Sequence, residues 1–309
     1  MVNRQTASYL RQRFEEVGLN PNSRHGQNFL VDLNLIHLLA NSAKVTREDV
    51  VLEIGTGMGS LTMLLAEKAG HVITVEIDQY LHQMAREELE SFDNVTMLHQ
   101  DALRNKNNFA PNVIETIQAE MAKREGAKFK LAANLPYNVA TPIISNLLVC
   151  PVVPFSETVT IQKELADRIL AKPRTKDYGA LSVWVQSLCD PKMIRVMAPS
   201  VFWPRPKVDS AILYIETNQE KRDRIPDLSF FHKFVRSMFF HRRKFLRSVA
   251  VAAFKNLLTK PQVDEVLTEL ELGPQARTEE LSVEEMQNMS EHFRQQLIAV
   301  QGSTDQFGS

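Results

Sequence analysis

The sequence predicts an α/β fold with a largely parallel sheet, followed by a smaller all-helical domain, on three observations. Short apolar runs end in polar residues at Glu76, Asp101 and Asn134. A glycine-rich turn, Gly55-Thr56-Gly57-Met58-Gly59, joins an earlier apolar run to a segment of helical periodicity. Beyond Arg222–Asp227, where Pro226 and two acids mark a linker, the pattern reads helical throughout.

The opening, Met1 to Gly18, reads as a polar helix-like segment without the apolar region of a signal peptide. Val50–Ile54 is a short apolar strand that runs into the glycines, and the period then turns helical through Leu61, Leu64, Leu65 and Ala69. Glycines at a strand-to-helix turn let a ligand approach the backbone closely. The spacing is G-x-G-x-G, not the G-x-G-x-x-G of dinucleotide binders, so no nicotinamide cofactor is expected. No Gly-Lys-Ser/Thr follows, which argues against a phosphate cradle. A second strand, His71–Val75, ends at Glu76-Ile77-Asp78, about 20 residues past the first glycine, the interval at which an acid reaches ribose hydroxyls. A third, Val95–Leu98, leads into Gln100-Asp101-Ala102, where Asp101 can accept a bond from an adenine amine.

Each feature has a plain alternative. Any tight turn can use glycine, Glu76 suits a helix N-terminus and Asp101 suits a cap. Together, in this order at one sheet edge, they indicate a nucleotide-like cofactor. S-adenosylmethionine fits, with adenine at Asp101, ribose at Glu76 and the aminoacyl end against Gly55–Gly59.

Next comes Lys130–Ala133, a strand ending in Asn134-Leu135-Pro136-Tyr137. This tetrad suits an exocyclic amine on a flat ring. The Asn134 amide oxygen accepts from the amine, Pro136 brings no N–H of its own, and Tyr137 offers a π-face. A Pro-containing turn after a core strand is the ordinary alternative. Between Asp101 and Asn134, residues 104–128 are longer than a simple connection, and Val113, Ile114, Ile117 and Met121 predict an added amphipathic helix. A helix over Pro142–Leu148 and a strand over Thr158–Ile161 follow, then helices over Lys163–Leu170 and Leu181–Gln186. Met193–Met197 and Ala211–Ile215 read as a closing antiparallel pair joined by the loop of Phe202.

The segments Gly26-Gln27-Asn28-Phe29-Leu30 (preceded by Arg24-His25), Glu53–Gly59, Glu76-Ile77-Asp78, Gln100-Asp101-Ala102, Asn134–Asn138, Val201–Ser210 and Phe240–Lys244 resemble those of the ribosomal RNA adenine dimethyltransferases. The likeness runs from about Arg24 to past Arg277. It implies a Rossmann-like class I S-adenosylmethionine-dependent methyltransferase sheet of seven strands, the last pair antiparallel. It also implies dimethylation of adenine N6 with S-adenosylhomocysteine as by-product and no metal. By this resemblance Asn28, Leu30, Gly55, Gly57, Glu76, Ile77, Asp101, Ala102 and Asn134 touch the cofactor. Asn134, Pro136, Tyr137 and Phe202 handle the target adenine, with Tyr137 and Phe202 as its two stacking faces. The expected domains are 1–225 for the methyltransferase (1–45 as a helical lid segment), 226–300 for RNA binding, and 301–309 as a tail.

The net charge of −1 looks unfit for an RNA binder until it is mapped. From Lys221 to Lys260 the only acids are Asp223 and Asp227, against a run of Lys and Arg that includes Arg242, Arg243, Lys244 and Arg247. Interleaved Phe239, Phe240 and Phe245 favour RNA over a merely solvated face. Lys207 joins the expected RNA footprint, and Lys172–Lys176 is a weaker candidate. Two cysteines without metal spacing read as thiols in a reducing cytoplasm. No apolar stretch approaches membrane-spanning length.

The leading expectation is dimethylation of adjacent adenines near the end of small-subunit rRNA within an assembling 30S particle, by a monomer. A large-subunit methyltransferase of the antibiotic-resistance type and a non-catalytic assembly or transcription factor remain as alternatives. Ser248 stands where the first group has Asn.

Overall fold

The computed structural model describes residues 7–16, 18 and 26–308, so Arg24 and His25 of the first motif lie outside the described residues. The chain forms two compact units, Met1–Ala166 with Lys192–Thr217 and Asp167–Pro191 with Asn218–Ser309. A division after residue 225, as composition suggests, falls within the second of these units.

Helix α1 (Ala7–Glu16), strand β1 (Phe29–Leu30) and helix α2 (Leu33–Ser42) precede the main sheet. Then come β2 (Val50–Ile54), α3 (Ser60–Ala66), β3 (His71–Glu76), α4 (Gln79–Glu88) and β4 (Val95–His99). A small hairpin, β5 (Leu103–Asn105) with β6 (Asn108–Phe109), leads to α5 (Pro111–Ala122), β7 (Phe129–Asn134), α6 (Ala140–Leu147) and β8 (Ser156–Gln162). After α7 (Lys163–Leu170) and α8 (Ala180–Gln186), the strands β9 (Cys189–Met197), β10 (Phe202–Trp203) and β11 (Ser210–Thr217) complete the set.

The seven-stranded sheet has the order β4-β3-β2-β7-β8-β11-β9. Strands β4, β3, β2, β7 and β8 pair in parallel, and β11 pairs antiparallel to β8. Every residue of β2 and β3 is buried, as expected of parallel strands covered on both faces. The chain builds outward from β2 to β4 and then returns to β7 on the other side of β2. Strand order therefore reverses between β2 and β7, and the crevice at their carboxyl ends is where open α/β sheets bind ligands. Gly55 follows β2 and Asn134 ends β7, so both motifs meet at that crevice.

The 104–128 segment does contain the expected helix, α5, with Val113 and Ile117 buried; the hairpin before it was not foreseen. Glu120 of α5 bonds Arg124 at 2.8 Å and lies 3.6 Å from the His71 ring of β3, which fixes the added helix to the sheet.

In the second unit, α9 (Gln219–Asp223), α10 (Leu228–Phe239), α11 (Leu246–Ala253), α12 (Lys260–Glu269) and α13 (Val283–Gln301) follow α8. An apolar stripe of α10 is buried at Phe230, Phe231, Phe234 and Met238. Helix α13 opens on a Ser282/Glu285 capping box, a pattern local to the sequence. Residues 301–309, expected to be a tail, instead supply a core ring. Phe307 is 1% exposed, with its centroid 4.6 Å from Phe254 and 4.9 Å from Phe230. Among the described residues no helix is long and apolar enough to cross a membrane.

Candidate active site

A cavity opens at the β2/β7 crevice, and Gly55 and Gly57 form part of its wall. Gly55 and Gly57 have φ of +86° and +56°, a region that residues with a Cβ enter only with strain. A Cβ on Gly55 would meet the Pro136 ring at 3.4 Å, and one on Gly57 would meet the Phe29 ring at 3.3 Å. The two glycines thus let the turn close against the Asn134–Tyr137 loop on one side and Phe29 on the other.

Glu76 holds this turn from beneath. Its carboxylate accepts from the Gly57 N–H and the Asp78 N–H, each at 3.0 Å. Burial pushes its pKa up, and those backbone donors oppose the shift. Each oxygen keeps lone-pair capacity for a diol. Ile77 beside it is 45% exposed, an apolar side chain left open on the cavity. Asp101 spends one oxygen on the Leu103 N–H at 2.9 Å, while Ala102 and Leu103 add apolar lining.

Beneath the turn lies Glu53, a residue to which sequence reasoning gave no role. Its Oε2 accepts from Thr62 at 2.5 Å and Thr74 at 2.7 Å, and Thr74 meets Thr56 at 2.6 Å. Full burial raises its pKa to about 8 against the two threonine bonds, so the carboxyl is neutral at pH 7. A neutral knot beneath the glycines adds no second charge beside Glu76.

Asn134 is the most informative side chain. Its Nδ2 donates to the Asn28 carbonyl at 2.9 Å, a bond that only the NH2 end can make. Its Oδ1 is buried and has no hydrogen-bond partner among the described residues. The amide is therefore oriented with an acceptor in reserve. Asn28 contributes through its backbone, since its own side chain turns to the Gly26 carbonyl at 3.1 Å. Pro136 also lines the cavity. Tyr137 stands outside the lining, half-buried, with its hydroxyl 2.5 Å from Ser210 Oγ.

Leu30 and Phe202 do not line the cavity; they belong to the core with Ile36, Met197 and Ile212, and Phe202 is 3% exposed. The reason is strand alternation. Strands β1 and β10 pair antiparallel, Leu30 opposite Phe202 and Phe29 opposite Trp203. Successive side chains of a strand point to opposite faces, so one pair enters this core and the other packs on a second cluster with Phe14 and Met58. Phe29 lines the cavity, stacked on Trp203 at 6.1 Å and edge-on to Phe14 of α1 at 5.5 Å. Reading residues 29–30 as a strand would have found this.

Residues 18–295 match the family model described as ribosomal RNA adenine dimethylase. The chain belongs to this family. A Clostridium acetobutylicum member, ribosomal RNA small subunit methyltransferase A, is 39% identical over 284 residues, covering 92% of this chain and 97% of that protein. The protein of that name from Caldanaerobacter subterraneus subsp. tengcongensis is 38% identical over 266 residues, covering 86% and 94%. Two solved structures share the fold. A dimethyladenosine transferase from Plasmodium falciparum has a TM-score of 0.72 at 23% identity, over 86% of this chain and 97% of that one. The 23S rRNA methyltransferase ErmE has a TM-score of 0.61 at 24% identity, over 85% and 98%.

The expected RNA-binding residues of this family member divide when seen in place. Arg243, Lys244 and Lys207 are exposed, and no ion pair holds them among the described residues. Arg242 instead braces the second unit, donating to the carbonyls of Lys176 at 2.7 Å and Tyr178 at 2.9 Å. Arg247 pairs bidentately with Asp264 at 2.6 and 2.8 Å, which neutralises its charge. These partners set the two apart from Arg243 and Lys244. The sequence shows that a residue is basic but not whether its charge is already paired.

Proposed function

We propose that this chain transfers methyl groups from S-adenosylmethionine to N6 of two adjacent adenines near the 3′ end of small-subunit rRNA, two per adenine, leaving S-adenosylhomocysteine. The observation that carries the reading is the Asn134 amide, fixed by the Asn28 carbonyl and left with a buried, unpartnered Oδ1 at the glycine-lined crevice. Family membership supplies the reaction class; the geometry supports the assignment of roles.

The residues present fit the cofactor. A positive-φ glycine wall, the open Ile77 side chain and two carboxylates with spare acceptor capacity suit an aminoacyl chain, a flat ring, a ribose and an adenine amine. Bound S-adenosylmethionine supplies an electrophilic methyl group. Glu76 accepts from the ribose hydroxyls and Asp101 from the cofactor's adenine amine, while Ile77 and Ala102 cover the ring. Gly55 and Gly57 leave room for the aminoacyl end.

On the substrate side, Asn134 Oδ1 and the Leu135 carbonyl accept the two N6 hydrogens of the target adenine. That directs the nitrogen lone pair at the methyl group. Pro136 presents no competing N–H, and Tyr137, steadied by Ser210, stacks on the unpaired base. With the cofactor bound, the N6 lone pair so aimed would take the methyl group as its carbon–sulfur bond breaks to leave S-adenosylhomocysteine, and the alkylated nitrogen would give up its proton to solvent water. Positioning and electrostatics carry the rate, with no covalent enzyme intermediate. Exposed Arg243, Lys244 and Lys207 engage rRNA phosphates in the assembling 30S particle. The protein acts as a cytoplasmic monomer.

The test incubates the protein and labelled S-adenosylmethionine with undermethylated small subunits, and with large-subunit RNA in parallel. Nucleoside mass spectrometry should find N6,N6-dimethyladenosine only in small subunits. Product in the large-subunit RNA, or none in either, overturns the assignment.

A further inference from the structure

Phe240, just past the end of α10, is 81% exposed, the largest exposure of any large hydrophobic side chain among the described residues. It lines a groove with Lys233, Arg236, His241 and, as floor, Val249 and Ala252. All these residues come from the stretch 228–263, which holds eight Lys and Arg and no Asp or Glu. Within the lining the fixed positive charge is that of Lys233 and Arg236 on α10, while Arg247, the one basic residue of α11, is paired with Asp264. The His241 ring stands at 75° to Phe240, with centroids 4.8 Å apart, so it does not lie stacked over the Phe240 face.

An aromatic ring held in water gains nothing from packing in the free protein. A lone ring among cations suits a ligand that has both a flat π-face and negative charge. The apolar lining is only Phe240, Val249, Ala252 and Ala253, and a purely apolar partner would leave Lys233 and Arg236 beside it unmatched. A single-stranded nucleotide supplies both features, because every base has a stacking face and every link a phosphate.

We propose that this groove is a nucleotide subsite, in which an unpaired rRNA base stacks on Phe240 while Lys233 and Arg236 hold the flanking phosphates. The proposal rests on the reading that the helical unit engages rRNA. It adds to that reading a stacking site separate from the one that presents the target adenine.

The probe is a short single-stranded RNA carrying 2-aminopurine, whose fluorescence falls on stacking. Wild-type protein should quench it. Phe240→Ala should abolish the quench and weaken binding about 10-fold, with an unchanged salt slope. Phe240→Trp should restore both. Arg236→Gln should keep the quench but lower the slope of log affinity against log salt by about one phosphate contact. Phe240 is exposed, so these variants leave the helical core intact. Equal quench and affinity for wild type and Phe240→Ala overturn the proposal. So does full rescue by Phe240→Leu, which means that apolar contact alone suffices. Dimethyladenosine formation is followed in the same preparations. Quenching without product from wild type removes the catalytic reading and leaves the subsite; product without quenching removes only the subsite.

Discussion

Replacing Asn134 with Ala separates a catalytic role from a structural one. The substitution removes the donor to the Asn28 carbonyl at 2.9 Å and the unpartnered Oδ1 together. The lost donor is one neutral hydrogen bond in a half-buried place, about 1 kcal/mol of stability, which lowers Tm by roughly 2–4 °C in a domain of this size. The lost acceptor acts where charge develops on the amine. Removing a preorganised partner of that kind costs about 10²- to 10³-fold in rate. The expectation is thus a nearly folded, cofactor-competent protein with kcat down about 10²- to 10³-fold. The assay is single-turnover dimethyladenosine formation on undermethylated small subunits at saturating cofactor, with equilibrium dialysis of S-adenosylmethionine alongside. Asn134→Asp sharpens the test, because it keeps an acceptor but sets a carboxylate against the Asn28 carbonyl. Activity within about 3-fold of wild type in Asn134→Ala, with cofactor binding intact, refutes the assignment of Oδ1 to the target amine.

Four further outcomes are expected. Glu53, with a folded-state pKa of about 8, is neutral in the fold while the unfolded chain ionises near 4.5. Its contribution is fully present below pH 4.5 and is lost as pH rises toward 8, on the order of 3 kcal/mol by pH 7; Glu53→Gln should flatten that fall in urea titrations across pH 5–8. Gly57→Ala, at φ +56° with its Cβ 3.3 Å from Phe29, should weaken S-adenosylmethionine binding in calorimetry far more than it lowers Tm. Phe307→Ala should destabilise the helical unit by about 3–5 kcal/mol, seen as an early denaturant transition, since the ring is stacked in the core. Arg243→Ala and Lys244→Ala should each reduce the salt slope of small-subunit binding by about one, whereas Arg247→Ala should leave it unchanged because Asp264 already pairs that guanidinium.

What the sequence made legible was whatever depends on period and punctuation. The parallel strands, the switch of period at Gly55–Gly59, the helix in residues 104–128 and the capping box at Ser282 are all local patterns, and the structure has each of them. Contacts that depend on pairing were not legible. Leu30 and Phe202 fall in motif positions that suggest ligand contact, yet two-residue strands too short to show a period turn both side chains into the core. Arg242 and Arg247 look no different in sequence from Arg243, because their partners, the Lys176 and Tyr178 carbonyls and Asp264, lie far along the chain. Phe307 reads as a tail residue, since nothing near it in sequence reveals the rings that it joins. The role of Asn28 shows why this matters for the chemistry. The motif points to its side chain, but its backbone carbonyl sets the Asn134 amide and so decides which atom faces the substrate. A substitution at Asn28 that keeps the backbone path should therefore be tolerated better than its place in the motif suggests. A proline at position 29 removes the Phe29 ring from the cavity and distorts the strand that carries this carbonyl, and it should disable the site.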